Sequence, residues 1–98
     1  METSARIDKY LNDTLDQYLQ TVMRLCRQPS VSARKEGTAE CAVLVAEALT
    51  EHGYDVQTFE TASNPVIVAK LAGKSDRTLL FYNHYDVQPP EPLELWTS

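Results

Sequence analysis

Helical spacing of apolar residues runs as far as Gly53, and strand-like spacing replaces it from there on. Such a chain lays its helices on the sheet that follows them, because each pattern leaves an apolar face for the other to cover. From Ile7 to about Gln28, the residues Ile7, Leu11, Leu15, Tyr18, Leu19, Val22, Leu25 and Cys26 predict a long amphipathic helix with one buried stripe. Pro29 stops it, because the residue before a proline avoids helical angles. Arg24 and Arg27 suit the negative end of its dipole. Residues 29–33 then form a loop. A second helix is expected from Thr38, read as its N-cap, through Cys41, Ala42, Leu44, Val45, Ala46 and Leu49 to about His52. Gly53 supplies the left-handed residue that ends many helices. Ala42, Ala46 and Ala48 are small enough to let this helix approach a sheet closely.

Three strands are predicted after Gly53. The first spans residues 54–59, where Tyr54, Val56 and Thr58 alternate with Asp55, Gln57 and the less conforming Phe59, as in a partly exposed strand. The second, residues 66–71, is β-branched and mostly apolar. After the turn cluster Gly73-Lys74-Ser75-Asp76, residues 78–83 form the most continuous apolar run, which places this strand deepest in the sheet. Short links favour hairpin-like antiparallel pairing at the start. The expected fold is α/β, a mixed sheet with helices on its faces, and 98 residues allow one small domain at most.

With 43% apolar and 23% charged residues, the chain has the composition of a globular protein rather than a disordered one. A net charge of -5 disfavours nucleic acid and anionic membranes as partners. The apolar run at residues 65–69 ends at Lys70, far short of the ~20 residues needed to cross a bilayer. The polar residues 1–6 lack the apolar core of a secretory signal, so a cytoplasmic location is expected. Cys26 and Cys41 match no zinc or redox spacing and are expected to be buried free thiols.

The chemistry concentrates at Asn83-His84-Tyr85-Asp86-Val87-Gln88-Pro89-Pro90. In an extended segment, residues i and i+2 point to the same side, about 7 Å apart at the backbone. The Asp86 carboxylate can then accept the Nδ1 proton of His84, leaving Nε2 free for a metal. One histidine does not hold a catalytic zinc alone; such a site takes three protein ligands and a water. His-x-Asp by itself is more simply a histidine and an aspartate that hydrogen-bond to cap a strand end. The setting favours a site: the pair follows a buried-looking strand and precedes a proline break, and sites in α/β sheets gather at the carboxyl ends of strands.

Residues 79–89, followed by Trp96, resemble the first metal-binding motif of the dizinc exopeptidase and deacylase family. That family includes acetylornithine deacetylase, succinyl-diaminopimelate desuccinylase, aminoacylase and the carnosinase-like dipeptidases. The two leading helices and Pro29-Ser30-Val31-Ser32 are similar to the family's opening, more loosely. The resemblance implies that His84 is a zinc ligand and that Asp86 is the catalytic aspartate that orients it. Asn83 stands where many members have glycine, and the Asn-His-Tyr-Asp-Val-Gln-Pro segment looks most like the dipeptidase-like branch. The family's bridging aspartate, its Glu-Glu pair, a further acidic ligand, a late histidine and the lid or dimerisation domain all follow this motif. Residues 1–98 are therefore expected to be the N-terminal portion of a catalytic domain, inactive alone. The implied parent is a two-zinc hydrolase acting on a small peptide or N-acyl amino acid, and a homodimer is compatible with it. The competing reading is a non-catalytic small α/β domain that binds a partner through an open sheet edge.

Other residues have plainer readings. His52 at a helix end fits a dipole-stabilised surface residue. Tyr82 is expected to face the core or pack across strands, Tyr85 to pack on the side opposite His84 and Asp86, and Trp96 to pack on the sheet edge. Glu91 and Glu94 read as solvated loop charges, and Lys35, Glu36 and Glu40 as a solvated helix start.

Overall fold

The computed structural model describes residues 2–97. Helix α1 spans Thr3–Arg27 and helix α2 spans Thr38–Glu51. Strands β1 (Asp55–Phe59) and β2 (Val66–Lys70) follow, and short 3₁₀ turns occupy Ser32–Arg34 and Leu93–Leu95. No helix among the described residues is long and apolar enough to cross a membrane.

Helix α1 stops where the proline demands it: Gln28 has extended angles of φ -78° and ψ 119°. Lys9 and Asp13 pair one turn apart at 2.6 Å on its exposed surface. Its apolar stripe forms as the spacing predicts but is not buried. Ile7, Leu11, Leu15, Leu19 and Val22 all remain about half exposed. Contacts to α2 come from the second half of the helix, where Arg24 pairs with Glu47 at 3.3 Å and Tyr18 stacks on His52 at 5.5 Å. Cys26 is exposed with the rest of the stripe, against expectation, whereas Cys41 is buried.

The loop between the helices is closed by bonds from Val31 N–H to the Glu36 carbonyl (2.8 Å) and from Glu36 N–H back to Val31 (3.1 Å). Gly37 has φ +74°, and a Cβ there would lie 2.0 Å from the Pro29 carbonyl oxygen, so glycine is required on two counts. This residue, rather than Thr38, is the N-cap of α2. The Thr38 hydroxyl is engaged elsewhere, donating to Asn64 Oδ1 at 2.8 Å. At the other end His52 Nδ1 bonds the Ala48 carbonyl at 2.8 Å, and Gly53 turns left-handed at φ +85°, as expected.

Strands β1 and β2 pair antiparallel, with Val56 opposite Ala69 and Thr58 opposite Ile67. Val56, Ile67 and Ala69 are half-buried on the same face of this hairpin, while Phe59, Val66 and Val68 are exposed on the other. The expected third strand does not form. Residues 78–83 have no regular structure, and Leu79, Leu80, Phe81 and Tyr82 are 76–87% exposed. The mixed sheet is therefore corrected to a two-stranded antiparallel one among the described residues, and Tyr82 is corrected from core to surface. The physical reason is that a strand exists through its ladder to a neighbour. Here β1 and β2 use their inner edges on each other, and residues 78–83 pair with neither outer edge. Trp96 is likewise exposed, its indole N–H donating to the Pro90 carbonyl at 3.2 Å.

What core there is lies where the inter-helix loop enters α2. Ser30, Val31, Thr38, Cys41 and Ala42 are buried there. Residues 84–87 dock against this knot.

Candidate functional site

The chain from Tyr85 to Val87 is held on three sides by groups distant in sequence. Val87 N–H donates to the Ser30 carbonyl at 2.8 Å. The Cys41 thiol lies 3.8 Å from the Tyr85 carbonyl oxygen. The Tyr85 hydroxyl donates to the Pro65 carbonyl at 2.5 Å, and the ring is half-buried. This anchoring gives an otherwise irregular segment a defined course, along which His84 is exposed and Asp86 half-buried.

His84 Nδ1 lies 3.0 Å from Asp86 Oδ1 and 3.0 Å from the Asp86 carbonyl oxygen. A backbone carbonyl and an ionised carboxylate are both pure acceptors, so Nδ1 must carry the proton. A neutral His84 then keeps its lone pair on Nε2. The ring is largely exposed, at 75%, and Nε2 makes no hydrogen bond among the described residues. The geometry expected from the i, i+2 spacing is thus present without the strand that was to provide it.

The second carboxylate oxygen of Asp86 accepts a hydrogen bond from the Ser32 hydroxyl. This bond, first, holds the Asp86 carboxyl below its usual range. Partial desolvation opposes the shift, and the bond to His84 reinforces it. Burial, followed by the negative potential of Cys41, Asp86 and Glu60, pushes the Tyr85 phenol above its usual value. Ser32 was not singled out from the sequence beyond its place in the Pro-Ser-Val-Ser loop. The only sequence signal was a hydroxyl residue in a short loop, and its partner lies 54 positions away.

Glu91 is the one acidic tail residue with a charged partner, pairing on the surface with Arg34. It bonds neither His84 nor Asp86, in keeping with a solvated loop charge. Among the described residues no group of three or more His, Cys, Asp and Glu side chains could hold a metal ion. A groove of about 750 Å³ runs between α2 and the β1–β2 connection, lined in part by Ser32, Thr38, Ala42, Ala46, Asn64 and Pro65 but by neither His84 nor Asp86. Ser32 borders both the groove and the His84–Asp86 pair.

No family model matches the chain, and no solved structure matches it at a significant level. Curated proteins do. Succinyl-diaminopimelate desuccinylase of Variovorax paradoxus is 33% identical over 87 residues, which cover 82% of this chain and 22% of that protein. The Methylococcus capsulatus enzyme of the same name is 32% identical over 88 residues, 90% of this chain and 21% of that protein. The one from Methylibium petroleiphilum is 39% identical over 66 residues, 61% of this chain and 17% of its own length. The chain spans about a fifth of the length of the curated relatives it matches, so what it is similar to, over most of its own length, is a part of a succinyl-diaminopimelate desuccinylase.

Proposed function

We propose that this chain is the N-terminal portion of the catalytic domain of a zinc-dependent hydrolase that cleaves N-acyl amide or peptide bonds of small substrates. The observation that carries the reading is the His84–Asp86 pair, with Nδ1 held as a donor and Nε2 left bare at the surface. In this role His84 is a metal ligand and Asp86 fixes its tautomer and ring orientation. The residues described fit one corner of a zinc site and not the whole of it, so the other ligands belong to chain outside them. The chemistry zinc supplies when bound is Lewis-acid activation of water and of the scissile carbonyl.

The names of the relatives support deacylation of an N-acyl amino acid. The form of the motif itself, Asn83 through Pro89, supports the dipeptidase arm of the same chemistry. A cytoplasmic protein and a homodimeric parent belong to the same reading.

The test is hydrolysis by the product of the complete reading frame, loaded with zinc and offered N-succinyl amino acids and dipeptides in parallel. Turnover of one class, lost on chelation and in His84→Ala, is expected. Absence of turnover on both classes, or turnover indifferent to His84→Ala, would overturn the proposal.

The exposed run Leu79–Tyr82 favours a second reading, in which the chain binds a protein partner through that segment. A natively expressed protein with the mass of 98 residues alone, and no hydrolysis, would favour it.

A further inference from the structure

The structure assigns to Ser32 a positioning role: its hydroxyl holds the Asp86 carboxylate in the rotamer that presents the other oxygen to His84 Nδ1. Its functional meaning rests on reading His84 as a ligand; the geometry does not.

Asp86 has two carboxylate oxygens and two different partners. Oδ2 accepts from Ser32 and Oδ1 faces His84 Nδ1 at 3.0 Å. A carboxylate bonded only to its histidine can swing about Cα–Cβ and Cβ–Cγ, and the imidazole follows it. Bonding both oxygens to different elements removes that freedom, and the ring's orientation is then set by two anchored groups.

The anchor itself is built to stay put. Ser32 opens the 3₁₀ turn Ser32–Arg34, inside a loop closed by the Val31–Glu36 bridge and by Gly37 packed on Pro29. Two residues earlier, the buried Ser30 takes the Val87 N–H at 2.8 Å. The loop therefore grips the motif twice, once by backbone at Val87 and once by side chain at Asp86. The backbone bond sets the distance and the hydroxyl sets the carboxylate. Threonine offers the same hydroxyl, whereas alanine offers no donor.

The test reads the tautomer of His84 in the 98-residue chain with no metal added. In ¹⁵N spectra at mildly alkaline pH, the wild-type ring is expected to give a protonated Nδ1 and a bare Nε2, well separated in shift. Asp86→Ala, which removes the carboxylate and leaves only the backbone carbonyl as acceptor, marks the limit of the separation without the carboxylate. Ser32→Ala is expected to narrow the separation part of the way, because the Asp86 backbone carbonyl still accepts from Nδ1 at 3.0 Å. Ser32→Thr is expected to restore it. The Val87 amide, bonded to Ser30, reports whether the loop is still docked. An unchanged separation in Ser32→Ala with Val87 in place overturns the inference, as does a wild-type ring protonated on Nε2. If Ser32→Ala undocks Val87, the comparison passes to Ser32→Cys, a weaker donor of similar size. Narrowing in Cys but not Thr supports the role, and identical spectra overturn it. None of these outcomes depends on whether the complete protein hydrolyses an amide.

Discussion

Ser32 and Asp86 stand 54 positions apart and meet through a hydroxyl–carboxylate hydrogen bond. That bond is the main cause of the lowered Asp86 carboxyl, and it links acid stability to the docking of the motif. A depressed carboxyl contributes stability that is fully present above its unfolded value and is lost as pH falls through the folded one. Residues 84–87 should therefore undock in acid below the ordinary aspartate range. In Ser32→Ala the Asp86 carboxyl should titrate closer to that range. Carbon-detected titration of the Asp86 carboxyl, followed beside the Val87 amide, checks both. An Asp86 carboxyl that titrates identically in the two proteins would remove the Ser32 bond as the cause.

Gly37→Ala should destabilise the chain more than Gly53→Ala. Both glycines are left-handed, which costs a residue with a Cβ about 1–2 kcal/mol. At Gly53 nothing lies within 4 Å of the added carbon, so that backbone term is the whole effect. At Gly37 the new Cβ would sit 2.0 Å from the Pro29 carbonyl oxygen, and the backbone has to move. The loop that moves is the one gripping Val87 and Asp86. Urea melts of the two variants, with the Val87 amide as a local probe, should show both a larger loss and an undocked motif for Gly37→Ala only.

Tyr85→Phe removes the bond to the Pro65 carbonyl and should cost about 1 kcal/mol, typical of a single hydrogen bond. It should also remove an alkaline dependence. A phenol raised in the folded state contributes stability that is complete below its unfolded value near 10 and declines as pH climbs toward the folded one. Wild-type stability should therefore fall above that unfolded value, and the Phe variant should fall less. Parallel alkaline slopes in the two proteins would show that Tyr85 is not the group responsible.

The helices were legible because their evidence is local. The 3.6-residue spacing, Pro29 and Gly53 all act within a turn or two, and the observed helix ends follow them. The His84–Asp86 pair was legible for the same reason, since two positions in an extended segment suffice to bring it together. The strand at residues 78–83 was not, because apolar content states only that a segment would gain from burial. Whether a ladder forms depends on a neighbour elsewhere in the chain. Cys26 and the α1 stripe failed in the same way: the face was read correctly and its cover was assumed. Ser32 was missed because its role exists only after residues 30–32 and 84–87 come together.

The exposed run makes one further prediction. Leu79, Leu80, Phe81 and Tyr82 are contiguous, rich in strand-forming side chains and free of charge, and the outer edges of β1 and β2 are unpaired among the described residues. Segments of this kind pair with any available edge, including one on another copy of the same chain. The 98-residue chain should therefore associate as its concentration rises, with a gain in strand signal beyond the two short strands of the hairpin. A charge on the run opposes this without touching the docked motif, so Leu80→Lys should shift association to higher concentration while leaving the helical signal unchanged. Sedimentation and circular dichroism across a concentration series test the pair of effects together. A sharp, reversible, concentration-independent melt in the wild type would mean that the run is covered in solution. Association that persists unchanged in Leu80→Lys would point instead to the half-exposed stripe of α1, where Leu15→Lys is the corresponding variant.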